Sequence, residues 1–126
     1  MLGEKVVPMG AIAYAFSEEG AGIDGKSFSL LPVEIFYRET GKTKKVTEYP
    51  CDGKLLKAAE QVKTKYHTGR GVIGSGDEWN NQLDRIALLR ERYHTAVEDM
   101  ESAAAASFAF LMEYRFLACG SCQILS

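Results

Sequence analysis

A chain of 126 residues, 46% hydrophobic and 25% charged, is long enough for one globular domain with a buried core. Its formal charge of −2 excludes a strong basic footprint for nucleic acid, and no apolar run reaches the roughly 18 residues that a membrane span needs. Residues 1–10 carry Glu4 and Lys5 and do not read as a secretory signal, and three cysteines, an odd number, fit a reducing compartment, so the expected location is cytoplasmic.

Residues 5–9 are a short apolar run closed by Gly10, which predicts a strand; residues 11–16 are apolar and mixed in type. Gly20, Gly22 and Gly25 then alternate with Glu18, Glu19 and Asp24 in a glycine-rich loop, either a plain surface loop or a lid over a ligand. Residues 30–38 predict a second strand through Val33, Ile35, Phe36 and Tyr37. The basic cluster Lys42, Lys44 and Lys45 beside Gly41 reads as a solvated turn, and residues 45–49 alternate like a further strand ended by Pro50. Asp52 is placed to cap a helix whose apolar face is Leu55, Ala59 and Val62.

Residues 70–75 predict a short strand, followed by a loop from Gly74 to Asp77. Asn80 or Asn81 is expected to cap a helix with Leu83, Ile86, Leu89 and Tyr93 as its apolar stripe. A strand over residues 95–98 leads to a helix over 102–112 that Glu101 opens. That helix is apolar nearly all round and so is expected to be buried on most sides. Residues 116–119 predict a last strand, and residues 124–126 continue it or start another. Strands and a glycine-rich loop over 1–50, then strand–helix alternation over 51–126, predict a single α/β domain with a mixed or parallel sheet flanked by helices.

Two spacings look like known chemistry and are not expected to carry it. Gly69, Gly71 and Gly74 match G-x-G-x-x-G, but the middle of the motif is the predicted strand itself, and no helix follows directly as dinucleotide binding requires. Close strand packing explains these glycines better. Cys119 and Cys122 have redox-motif spacing but follow a strand rather than open a helix. Two cysteines also leave a zinc site short of ligands, and His67 and His94 are expected on the surface, so no metal and no cofactor are expected.

The informative stretch is Val97, Glu98, Asp99, Met100, Glu101, Ser102, which sets three carboxylates at a strand-to-helix junction. Such groups favour the dipole of the helix that follows. Alternatively, one of them points into the crevice at the carboxyl end of the sheet, where open α/β folds bind ligands. A carboxylate accepts two hydrogen bonds at once, and two neighbouring ribose hydroxyls offer such a pair.

The segment Gly71, Val72, Ile73, Gly74, Ser75, Gly76, Asp77, about twenty residues before that junction and an alanine-rich helix, resembles the paired signature of the methylthioadenosine/S-adenosylhomocysteine nucleosidases, members of the nucleoside phosphorylase superfamily. The resemblance implies a partial nucleoside phosphorylase-like fold corresponding to the C-terminal half, with the first strands, a water-activating glutamate and a glycine-rich loop belonging to an N-terminal half. It implies that Met100 packs on ribose, that Glu101 binds the ribose hydroxyls, and that Trp79 stacks on a purine with Asn80 near its edge. Ser75, Gly76 and Asp77 would shape the loop leading to the base. The implied ligand is a purine nucleoside or adenine, and the implied reaction is hydrolysis of its N-glycosidic bond.

The family's acid, an aspartate, is due immediately after Ser126, and Gln123 stands where the family has an arginine. On its own the chain is therefore expected to be incomplete or inactive as an enzyme, and whether any activity remains is open. A catalytically degenerate nucleoside-binding or storage-type protein and a nucleoside phosphorylase are the other readings. A sheet lacking its first strands and an all-apolar helix both predict a homo-oligomer or pairing with another chain.

Overall fold

A computed structural model describes residues 1–120. The expected strand over 124–126, together with Cys122 and Gln123, lies outside the described residues. The elements in chain order are β1 (Leu2–Pro8), β2 (Ile12–Tyr14), β3 (Phe28–Leu30), β4 (Val33–Tyr37), β5 (Lys42–Val46), β6 (Tyr49–Pro50), α1 (Gly53–Glu60), β7 (Arg70–Ser75), α2 (Leu83–Tyr93), β8 (Thr95–Asp99) and α3 (Ser102–Leu111).

The central sheet runs β6-β1-β7-β8. β1, β7 and β8 are parallel, and β6 joins β1 antiparallel, so the sheet is mixed. Parallel strands bury both faces, which matches the burial of consecutive residues from Val6 to Pro8 in β1 and from Val72 to Ser75 in β7. One core, around Val6, Ile73, Tyr49 and Ala106, lies between the sheet, α3 and the β4–β5 hairpin. The other, around Val7, Met9, Phe28, Val72 and Leu89, lies between the sheet, α2 and the β2–β3 hairpin. Arg85 and Arg92 of α2 stack on the Phe28 ring, at 4.2 and 5.0 Å from its centroid, and tie that hairpin to the helix.

Of the glycines in the G-x-G-x-x-G run, Gly71 and Gly74 lie inside β7 and serve packing as expected, whereas Gly69 precedes the strand and has open space around it. A Cβ on Gly71 would stand 2.9 Å from the Cβ of Ala96, and one on Gly74 would stand 2.9 Å from the Thr95 methyl group.

Asp52 caps α1 as expected, its carboxylate accepting from the N–H groups of Lys54 and Leu55 at 3.0 and 2.9 Å. Of the expected face Leu55 and Ala59 are half-buried beside the fully buried Leu56, whereas Val62 stands in solvent because α1 ends at Glu60. The expected strand over 30–38 is two strands. Pro32 interrupts it, so Leu30 pairs with β2 while Val33 opens the hairpin with β5. The lysine cluster is not a turn. Lys42, Lys44 and Lys45 lie on the exposed part of β5, and the turn is one step earlier, where the N–H of Gly41 (φ 65°) donates to the Tyr37 carbonyl. Of the strand expected over 45–49, Lys45 and Val46 pair with β4, and only Tyr49, joined by Pro50, reaches the central sheet.

Neither Asn80 nor Asn81 caps α2. Gln82 occupies the cap position without a side-chain bond, because both asparagines are engaged elsewhere. Leu89 is the buried residue of that helix, and Leu83 is 81% exposed. His67 and His94 are both exposed, as expected. α3 departs further from expectation. Its Ala106 and Ala109 meet the rest of the fold, whereas Phe108, Leu111 and Met112 face outward. An all-apolar helix demands cover on every side, and the described residues cover one. Residues 116–119 form no regular strand; they make a single antiparallel bridge, Leu2 to Cys119. Next to it the Met1 ammonium donates to the Gly120 carbonyl at 2.5 Å, and the Gly120 N–H returns a bond to Met1 at 3.0 Å. No described helix is long and apolar enough to cross a membrane.

Candidate functional site

β7 and β8 both end at the same pole of the sheet, in Ser75 and Asp99. The loop after β7 and the junction between β8 and α3 therefore meet there. Two clefts open at this pole, and Met100 lines both. The larger, of about 360 Å³, runs beside the outer edge of β8 and is bounded by Trp79, Asn80, Ile86, Glu98 and Glu101. The smaller, of about 290 Å³, lies over the first turns of α3, between Ser75, Asp77, Ala103 and the β3–β4 connection.

The three carboxylates of the junction have separate partners. Glu98 accepts a hydrogen bond from the Asn80 amide at 2.5 Å. Asp99 holds the start of α3, accepting from the Ser102 N–H at 3.0 Å and from its hydroxyl at 2.5 Å. Glu101 is exposed and, among the described residues, accepts only from the neighbouring Met100 N–H, at 3.2 Å. Helix capping thus falls to Asp99, and Glu101 keeps its acceptor capacity for the cleft.

Ser75 is fully buried. Its hydroxyl accepts from the Ala103 N–H at 2.8 Å and so secures the first turn of α3 from across the sheet. Gly76 continues the tie, donating its N–H to the Asp99 carbonyl at 3.0 Å. Ser75→Ala is expected to leave that helical N–H without a partner and to lower stability by about 1–3 kcal/mol, read from denaturant unfolding.

Trp79 is 74% exposed at the mouth of the larger cleft, its indole N–H donating to Asn81 at 3.0 Å. That bond fixes the ring and leaves its faces free. Asp77 is exposed and lines the smaller cleft. The six residues singled out from the sequence therefore divide between the clefts. Trp79, Asn80 and Glu101 line the larger, Ser75 and Asp77 the smaller, and Met100 stands between them.

The phosphorylase superfamily model matches residues 2–122. The chain belongs to the phosphorylase superfamily. Its mixed sheet flanked by helices agrees with the nucleoside phosphorylase-like fold, and membership supports nucleoside processing as the general activity. No curated protein matches the chain.

Three features of this superfamily member escaped sequence reasoning. Ile86 lines the larger cleft, although its place in the helical stripe marked it for the core. Met9 reaches over Gly74, where a Cβ would stand 2.7 Å from its methyl carbon. Tyr49 borders the smaller cleft with its hydroxyl buried and without a partner among the described residues, which no local pattern announces. Burial raises the pKa of the Cys51 thiol above its ordinary value, so it stays protonated and is a poor nucleophile. Cys119 is exposed.

Proposed function

We propose that the chain takes a purine nucleoside at this pole and belongs to the hydrolytic branch of its superfamily, cleaving the N-glycosidic bond of methylthioadenosine or S-adenosylhomocysteine. The observation that carries the reading is the free Glu101 carboxylate beside Met100, in the cleft whose mouth holds the Trp79 ring. A ribose diol donates two hydrogen bonds to one carboxylate, the Met100 side chain supplies an apolar bed for the sugar, and an indole face suits a purine. In the reaction, a water oxygen bonds to C1′ as the bond to the purine nitrogen breaks, the water gives up a proton, and the departing base takes one up. The residues of the cleft hold the sugar and base in place while positive charge develops at C1′. A carboxylate against the ribose favours that charge.

Adenine released from methylthioadenosine by the purified chain, with free methylthioribose in equal amount and measured by chromatography, is the result that the hydrolytic reading requires. Release that requires inorganic phosphate and yields the sugar 1-phosphate would instead make the chain a phosphorylase. Nucleoside binding without release would make it a binding protein of the same fold.

A further inference from the structure

The outward side of α3 carries a pattern of its own. Ala104 and Ala105 lie one turn before Phe108, Leu111 and Met112 one turn after it, and all five are exposed. That spacing is the seam by which one helix packs on another. The inward side, with Ala106 and Ala109, already packs on the rest of the fold. No charged residue stands between Ala104 and Met112, so the seam offers no handle to a partner chosen by charge. Its two ends differ in size. The alanines leave a hollow, and Leu111 with Met112 makes a ridge. In a second copy turned end for end about Phe108, the ridge enters this hollow and the hollow receives this ridge. Ala104 then meets the partner's Met112, Ala105 meets the partner's Leu111, and the two Phe108 rings meet on the two-fold axis. Parallel copies would instead set alanine against alanine and leave a void, while the large residues collided.

We propose that two copies of this chain pair through α3, antiparallel about Phe108, in an isologous dimer. Leu31, 46% exposed, lines the smaller cleft together with Ala104 and extends the apolar surface beyond the helix. The seam and Leu31 present on the order of 500 Å² per copy, so the pair removes about 1,000 Å² from water, the low end for a specific interface. A patch of that size on a monomer marks a contact site. Pairing is therefore reversible, and both copies keep their larger clefts.

Sedimentation of the chain over about 1–100 μM is expected to show a monomer–dimer equilibrium, with a dissociation constant on the order of 10 μM. Phe108→Glu sets two like charges on the axis and is expected to weaken pairing by at least about 100-fold. The side chain is 61% exposed, so the melting temperature of the dilute protein is expected to move by no more than about 2 °C. Mild oxidation reads the register, in a chain with Cys51, Cys119 and Cys122 changed to alanine. Phe108→Cys is expected to give a disulfide-linked dimer, because that position meets itself. Ala104→Cys alone is expected to stay unlinked, and Ala104→Cys combined with Met112→Cys is expected to link. A monomer at every concentration overturns the proposal, whether other residues of the chain or another protein cover the seam. Pairing that survives Phe108→Glu overturns it too, as does linkage of Ala104→Cys to itself, the mark of parallel copies. The sedimentation result decides the matter alone where the alanine background folds poorly, and no outcome bears on the nucleoside reading.

Discussion

Gly76→Ala is expected to destabilise the chain by about 3 kcal/mol, the upper part of the range for overpacking a close-packed interior. An added Cβ would stand 2.9 Å from the Met9 carbonyl carbon, 3.1 Å from its oxygen and 3.2 Å from the Gly10 nitrogen, all of them backbone atoms. A flexible side-chain tip could swing aside. Here β1 and the loop after β7 would have to separate, straining the Met9 N–H bond to the Ser75 carbonyl (2.7 Å) and the Gly76 bond to Asp99. The melting temperature should drop by roughly 10 °C. Gly25→Ala is the matched control, since nothing lies within 4 Å of a Cβ there, and it should change stability by no more than about 0.5 kcal/mol. Equal melting temperatures for the two variants would mean that the β1 end yields freely and does not brace the site.

Glu101→Ala should separate binding from stability. The side chain is exposed and makes no capping bond to α3, so its removal should move the melting temperature by only about 2 °C. Loss of two charge-assisted hydrogen bonds to a ribose diol should weaken nucleoside affinity by at least about 100-fold, measured by Trp79 quenching. The opposite pattern, a fall in stability of about 0.3–1 kcal/mol with affinity intact, would assign Glu101 to the helix dipole. Asp99 already provides that service through both of its oxygens, which is why the first pattern is expected.

Features set by neighbours in the sequence were legible. β7 falls on residues 70–75 as the apolar run indicates, Asp52 caps α1, and the glycines of β7 pack rather than bind. Features set by partners far along the chain were not. The acidic junction is visible in the sequence, but which carboxylate is free depends on Asn80, 18 residues away from Glu98, and on the closeness of Ser102 to Asp99. Ser75 could be placed on the loop. That its hydroxyl turns towards Ala103 depends on the packing of α3 over the sheet. Periodicity predicted a buried stripe for α2, and all-round apolarity predicted burial on most sides for α3, but neither says how many sides of a helix the rest of the chain covers. Phe108 is 61% exposed for that reason. Pro32 was the missed local signal, a residue that breaks pairing inside an otherwise good strand pattern.

The bond between Met1 and Gly120 brings the start of the chain against its last described residue, at the amino ends of the parallel strands and away from the two clefts. Together with the Gly3 N–H bond to the Ala118 carbonyl at 2.8 Å, it fastens the segment after α3 to β1, so a disturbance at that pole reaches the clefts only along the length of the parallel strands.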